Sequence, residues 1–194
     1  MESILQKVKN GTIKNIKLCV VISNRKEARA LEIARSYGVD AVFIDDEKSK
    51  GANWDYDKKI IECLKEHSVT EDNGLICLAG FMRIISREFV LHYKGRIMNI
   101  HPALLPSFPG LNAQRQAVEY GVKISGCTVH FVDEGIDTGP VIIQVAVEVK
   151  NNDTPETLAE RILEQEHRIY PEAVRLFAEG KLSIEGRRVR IHDR

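Results

Sequence analysis

The chain has 194 residues, with 28 basic and 28 acidic side chains and a formal net charge of zero. That length supports a single domain with a buried core, and the balanced charge predicts neither a nucleic-acid nor a membrane surface. No apolar stretch approaches the ~18 residues that span a bilayer, and the first residues lack the basic-then-apolar pattern of a secretory leader. The cysteines Cys19, Cys63, Cys77 and Cys127 are scattered without a C-x-x-C pair. They read as reduced thiols of a cytoplasmic protein. The histidines lack metal-ligand spacing, so no metal is expected.

Residues 2–8 read as a helix. Residues 17–23, K-L-C-V-V-I-S, form a short apolar run suited to a buried strand. Residues 24–37 have helical spacing through Ala28, Leu31, Ile33 and Ala34, and Gly38 marks the stop. A second strand is expected at 41–44 and a helix at 54–67, with Ile60, Ile61 and Leu64 inward. Further strands are expected at 74–79 and 97–101. Short apolar strands alternating with helices predict an α/β fold, a Rossmann-like, mostly parallel sheet with helices on both faces. Residues 123–132 and 141–149 are longer and have no helix between them, which predicts an antiparallel C-terminal strand pair. Residues 154–177 form a long helix opened by Thr154-Pro155-Glu156. The basic run Arg187, Arg188 and Arg190 reads as a solvated tail. No linker divides the chain, so residues 1–194 are expected to form one domain.

The polar residues of interest begin at Asn99-Ile100-His101-Pro102, directly after a strand. Ligands of open parallel sheets bind beyond the C-terminal strand ends. Strand alternation puts Asn99 and His101 on one side, so an amide and an imidazole can converge on one small group. A strand-end histidine is equally compatible with a structural role. Three prolines and a glycine in residues 102–111 then make a rigid wall beside His101. Residues 133–140, D-E-G-I-D-T-G-P, join the two long strands. They read either as an ordinary turn or as a loop that brings Asp137 to His101. A carboxylate there would favour the imidazolium, which suits a proton donor or a stabiliser of negative charge.

The stretches N-I-H-P-A-L-L-P-S-F-P-G-L and G-C-T-V-H-F-V-D-E-G-I-D-T-G-P-V-I-I-Q resemble the phosphoribosylglycinamide formyltransferases. The resemblance runs from about Met1 to Phe177. It implies Asn99, His101 and Asp137 as catalytic residues, with His101 the proton donor kept charged by Asp137. It implies 10-formyltetrahydrofolate as co-substrate and glycinamide ribonucleotide as acceptor, both small molecules, with no nucleic acid or membrane involved. A-G-F-M-R-I-I at residues 79–85 resembles the family's folate segment. Met82, Arg83, Ile84 and Ile85 would line the pteridine pocket, with Asn99 and with the loop residues Asp133, Glu134, Gly135, Ile136 and Asp137. Val90 and Ile97 are assigned to its apolar wall, and a plain core role suits them as well. Gln165 and Glu166 fall in the segment that binds substrate, and the Glu166 carboxylate suits a vicinal diol.

The sequence departs from the family's pattern in two places. Family members open with a strand and a turn ending in G-S-N that holds the substrate phosphate at a helix N-terminus. Residues 1–6 instead resemble the helix after that turn, so the family's first strand is expected to be missing and phosphate binding weakened. Exposed strand edges would then allow a homodimer. Asn53 stands where the family carries a folate-contacting arginine. The rival readings are a formyltetrahydrofolate hydrolase, a methionyl-tRNA formyltransferase, and a folate-binding protein without turnover.

Overall fold

The computed structural model describes residues 1–46 and 53–192. These divide into two compact units, Met1–Ile97 and Met98–Arg194. In the first unit, helix α1 (Glu2–Lys9) precedes strand β1 (Val20–Ser23), helix α2 (Arg29–Ser36) and strand β2 (Asp40–Phe43). Strands β1 and β2 pair in parallel, Val20 opposite Asp40 through Ser23 opposite Phe43. The helical crossover between them is what a parallel pair requires. Leu5 of α1, Ala34 of α2 and Val39 form one buried cluster. Ile44, Tyr56 and Cys63 form another, against Val20, Ile22, Val42 and Ile60.

Helix α3 (Trp54–Glu66) is opened by Asn53. The Asn53 side-chain oxygen accepts from the Asp55 and Tyr56 amides at 2.8 and 3.2 Å. That residue therefore acts as a helix cap, satisfying amides that have no partner inside the helix. Strand β3 (Ile76–Leu78) and helix α4 (Arg87–His92) complete the unit. The periodicity reading contained no α4, because six residues are too few to display a helical stripe.

In the second unit, strand β4 (Ile97–His101, entering from the last residue of the first unit) is followed by α5 (Ala113–Tyr120), β5 (Ile124–Phe131) and β6 (Val141–Glu148). Helix α6 (Pro155–Ala178) and a terminal hairpin, β7 (Leu182–Glu185) and β8 (Arg188–Ile191), end the chain. The strands run in the order β4-β5-β6-β8-β7. Strand β5 is antiparallel to both β4 and β6, so the expected antiparallel pair is present in this mixed α/β fold. Thr154 caps α6 reciprocally with Thr157, and Pro155 occupies the first helical turn. Its buried face, from Leu158 and Ile162 to Val174, covers β5 and β6. Each such aliphatic residue contributes roughly 2 kcal/mol by leaving water. The Tyr170 hydroxyl donates to the Met98 carbonyl at 2.9 Å and ties α6 to β4.

One expectation is corrected here. Arg188 and Arg190 are not in a solvated tail but in β8, which pairs with β7 from Leu182–Ile191 to Glu185–Arg188. Their side chains are exposed, and polarity alone does not distinguish an exposed strand from a tail.

Candidate active site

The centre is built on the β4–β5 ladder. Asn99 lies opposite His130 and His101 opposite Thr128. On β6, Gln144 lies opposite Thr128. Residues directly opposite each other in a ladder share a face, so these five polar side chains form one patch. Thr128 is wholly buried, and its hydroxyl donates to the Ala103 carbonyl at 2.7 Å. It accepts from the Leu105 amide and from Gln144 Nε2, at 3.1 and 2.9 Å. Gln144 also donates to the Leu105 carbonyl at 2.8 Å. The proline-rich segment after His101 is thereby pinned to the sheet.

His101 is 4% exposed, and each of its ring nitrogens faces an acceptor. Nε2 lies 2.8 Å from the Phe108 carbonyl. Nδ1 lies 3.3 Å from Asp137 Oδ2. The Phe108 carbonyl offers only lone pairs, so Nε2–H is the donor there, while the Asp137 carboxylate faces Nδ1. Phe108 takes a left-handed backbone, φ +53°, unusual for a bulky residue. Such strain gathers where a group must be aimed, and the Phe108 carbonyl meets the imidazole. The Gly110 amide donates to Asp137 Oδ2 at 2.8 Å and fixes the same oxygen that faces His101.

His130 is the residue that the sequence reading missed. It is 2% exposed, and burial pushes its pKa down, so the ring is held neutral. Its Nδ1–H donates to the Phe131 carbonyl at 2.9 Å. Nε2 then carries a lone pair, which accepts from Asn99 Nδ2 at 3.3 Å. This orients the Asn99 amide, committing one N–H to His130 and leaving the second for another oxygen. Nε2 of His130 also lies 3.7 Å from Asp137 Oδ1. A neutral ring makes that a neighbourly contact rather than an ion pair. The available signal was its position in T-V-H-F, on the same alternating face as Thr128.

Asp137 itself sits on the β5–β6 loop with φ +52°, a left-handed conformation that Asp tolerates. The Thr138 hydroxyl donates to Asp133 Oδ1 at 2.6 Å, and the Gly135 amide donates to the same oxygen at 3.1 Å. A Cβ on Gly139 would fall 1.8 Å from the Phe131 carbonyl oxygen, so the chain passes there only as glycine. Glu134, Gly135 and Ile136 at the loop tip are exposed.

The remaining candidates are placed as follows. In the first unit, Met82 and Ile84 are open to solvent, at 72% and 52% exposure, whereas Val90 and Ile97 are buried. Arg83 pairs with Asp46 at 2.5 Å and lies over the Tyr56 ring at 4.8 Å. Ile85 is half-buried. In the second unit, Gln165 Oε1 accepts from Arg168 Nε at 3.1 Å. Glu166 is half-buried, and burial pushes its carboxyl pKa upward. Among the described residues, no group of three or more His, Cys, Asp or Glu side chains is placed to hold a metal ion. Among the same residues, no helix is long and apolar enough to cross a membrane.

A protein-family model described as formyl transferase matches residues 1–174. The chain is 44% identical over 184 residues to the chicken (Gallus gallus) trifunctional purine biosynthetic protein adenosine-3. That alignment takes in 95% of this chain, which spans only 18% of the chicken protein's length. It is 39% identical to the phosphoribosylglycinamide formyltransferase of Escherichia coli, over 95% of this chain and 84% of that one. Glycinamide ribonucleotide transformylase 1 of Symbiobacterium toebii superposes with a TM-score of 0.92 at 52% identity, covering 99% of this chain and 88% of that one. A formyltetrahydrofolate deformylase of Pseudomonas syringae shares the fold, with a TM-score of 0.87 at 24% identity, over 98% of this chain and 61% of that one. With its centre assembled on β4, β5 and the Asp137 loop, and with the match over residues 1–174, this chain belongs to the formyl transferase family.

Proposed function

We infer that the chain transfers the formyl group of 10-formyltetrahydrofolate to the amine of 5′-phosphoribosylglycinamide, a step of de novo purine (IMP) synthesis. The observation that carries this reading is the convergence of an oriented Asn99 amide with a His101 ring whose two nitrogens face acceptors. The names of the E. coli and S. toebii relatives supply the acceptor, and the folate donor follows from the family resemblance. We read residues 1–194 as one formyltransferase domain, supported by the family match across both units. Cys19, Cys63, Cys77 and Cys127 as thiols fit a reducing cytoplasm.

In the proposed mechanism, the amine nitrogen attacks the formyl carbon, a C–N bond forms, and the carbonyl pair moves onto oxygen. The free N–H of Asn99 and an N–H of His101 meet that oxyanion. The Phe108 carbonyl is a neutral acceptor, so a developing anion displaces it as the stronger partner of Nε2. Collapse then breaks the bond to the folate nitrogen. The proton lost by the attacking amine reaches the leaving nitrogen by way of His101, which gives one proton to that nitrogen and regains the amine's, with Asp137 as its counter-charge. Much of the acceleration comes from holding the amine and the formyl group together.

By the family resemblance, Met82, Arg83, Ile84, Ile85, Asn99 and residues 133–137 bind the folate, the buried Val90 and Ile97 belong to its apolar wall, and Gln165 and Glu166 bind the ribonucleotide. The exposed Met82 and Ile84 side chains suit an apolar ring face. The test is consumption of 10-formyltetrahydrofolate with and without glycinamide ribonucleotide. Amine-dependent release of tetrahydrofolate is the expected result. Equal consumption without the amine would identify a hydrolase instead, and binding without turnover a folate-binding protein.

A further inference from the structure

The family match ends at residue 174, and the β7–β8 hairpin lies beyond it. That hairpin reaches the loop that carries Asp137. Arg187, next to the hairpin's Gly186, donates from Nη2 to the Thr138 carbonyl at 3.0 Å. The following residue, Arg188, pairs in parallel register with Val141, the first residue of β6. The hairpin therefore grips the chain on both sides of Gly139-Pro140. Thr138 is held at two points, by its hydroxyl on Asp133 and by its carbonyl on Arg187.

Asp137 directly precedes Thr138 and has a left-handed backbone. Its carboxylate has to meet both the Gly110 amide and His101 Nδ1. Both contacts fall on the same oxygen, Oδ2, at 2.8 and 3.3 Å, so a shift of the loop moves the carboxylate against Gly110 and His101 together. A guanidinium is suited to the restraint because its planar donors are stiff and always charged.

We propose that Arg187 is a positioning residue for formyl transfer, bracing the Thr138 peptide so that Asp137 stays against His101. The proposal rests on the reading of Asn99, His101 and Asp137 as the reacting centre.

The test compares Arg187→Ala, Arg187→Lys and Arg190→Ala in the full chain. Arg190 is an equally exposed arginine of the same hairpin, and its guanidinium is paired with Glu185. Loss of the brace should lower kcat roughly 3- to 10-fold in Arg187→Ala, the worth of one such hydrogen bond. KM for the ribonucleotide should stay unchanged, and the alkaline limb of the pH–rate profile should move to lower pH. Arg187→Lys should recover part of the rate, and Arg190→Ala should match the parent. Hydrogen–deuterium exchange of residues 133–140 should rise in Arg187→Ala alone.

Faster exchange with unchanged kcat and pH profile would overturn the proposal, as would equal losses in Arg187→Ala and Arg190→Ala. If the parent chain shows no amine-dependent transfer, the functional reading fails. The exchange comparison still decides whether Arg187 holds the loop.

Discussion

Asn99, His101, Thr128 and His130 stand on β4 and β5, where ladder hydrogen bonds set each backbone position and the register decides which side chains meet. Asp137 stands on a loop, in a left-handed conformation; its carboxylate accepts from the Gly110 amide, and the next residue, Thr138, is held by Asp133 and Arg187. The strand-borne groups are fixed by the same bonds that make the fold. The loop-borne carboxylate is fixed by bonds that can be removed singly while the sheet stays intact. Activity should therefore be more separable from stability on the loop than on the strands.

The largest effect should come from the strand side. His101→Ala should lower kcat by about 10³-fold or more, since proton transfer and oxyanion stabilisation are both lost. Stopped-flow or steady-state release of tetrahydrofolate measures it. A loss under tenfold would mean that the ladder does not carry the chemistry.

Gly139→Ala tests the loop side without touching a polar group. Its Cβ would meet the Phe131 carbonyl, so the loop must shift. A kcat reduction of roughly 10- to 100-fold is expected from misplacing Asp137. Unchanged turnover would show that the loop's position matters little.

Glu166→Gln addresses a group on α6, away from both regions. KM for the ribonucleotide should rise about tenfold with kcat retained, as expected for lost uniform binding. Burial raises this carboxyl's pKa, so in the parent chain KM should begin to climb on the acid side above the usual carboxylate range. A pH-independent KM down to pH 4 would contradict the assignment.

The smallest effect concerns stability. Burial lowers the His130 pKa, so the unfolded chain binds more protons as pH falls below its ordinary value of about 6.5. The neutral ring's contribution is fully present above that value and is lost as pH drops toward the folded pKa. The slope from this group is at most about 1.4 kcal/mol per pH unit. Urea melts of the parent chain and His130→Gln should converge between pH 7 and pH 5, the parent losing stability faster. Parallel curves would show that His130 is not held neutral.

Where periodicity is local, the elements were legible. The apolar run around β1, the stripe of α3 and the capped start of α6 each announce themselves within a few residues. Helix α4, of six residues, is too short for a stripe, and α5 buries only two alanines, Ala113 and Ala117, which mark no apolar face. Hairpin β7–β8 is polar and exposed, so its arginines resemble a tail until a partner strand is known. Asn99 and His101 could be read as a pair because alternation alone puts them on one side.

By itself, then, the sequence determined the alternation of strand and helix, the rigid segment after His101 and the acid-rich loop around Asp137. Only the tertiary structure decided that His130 orients Asn99, that Thr128 and Gln144 pin residues 103–105, and that Arg187 reaches Thr138. The physical reason is separation along the chain. Asn99 and His130 are 31 residues apart, and Thr138 and Arg187 are 49 apart. Such contacts depend on ladder register and on where a distant hairpin docks, and no local pattern encodes either.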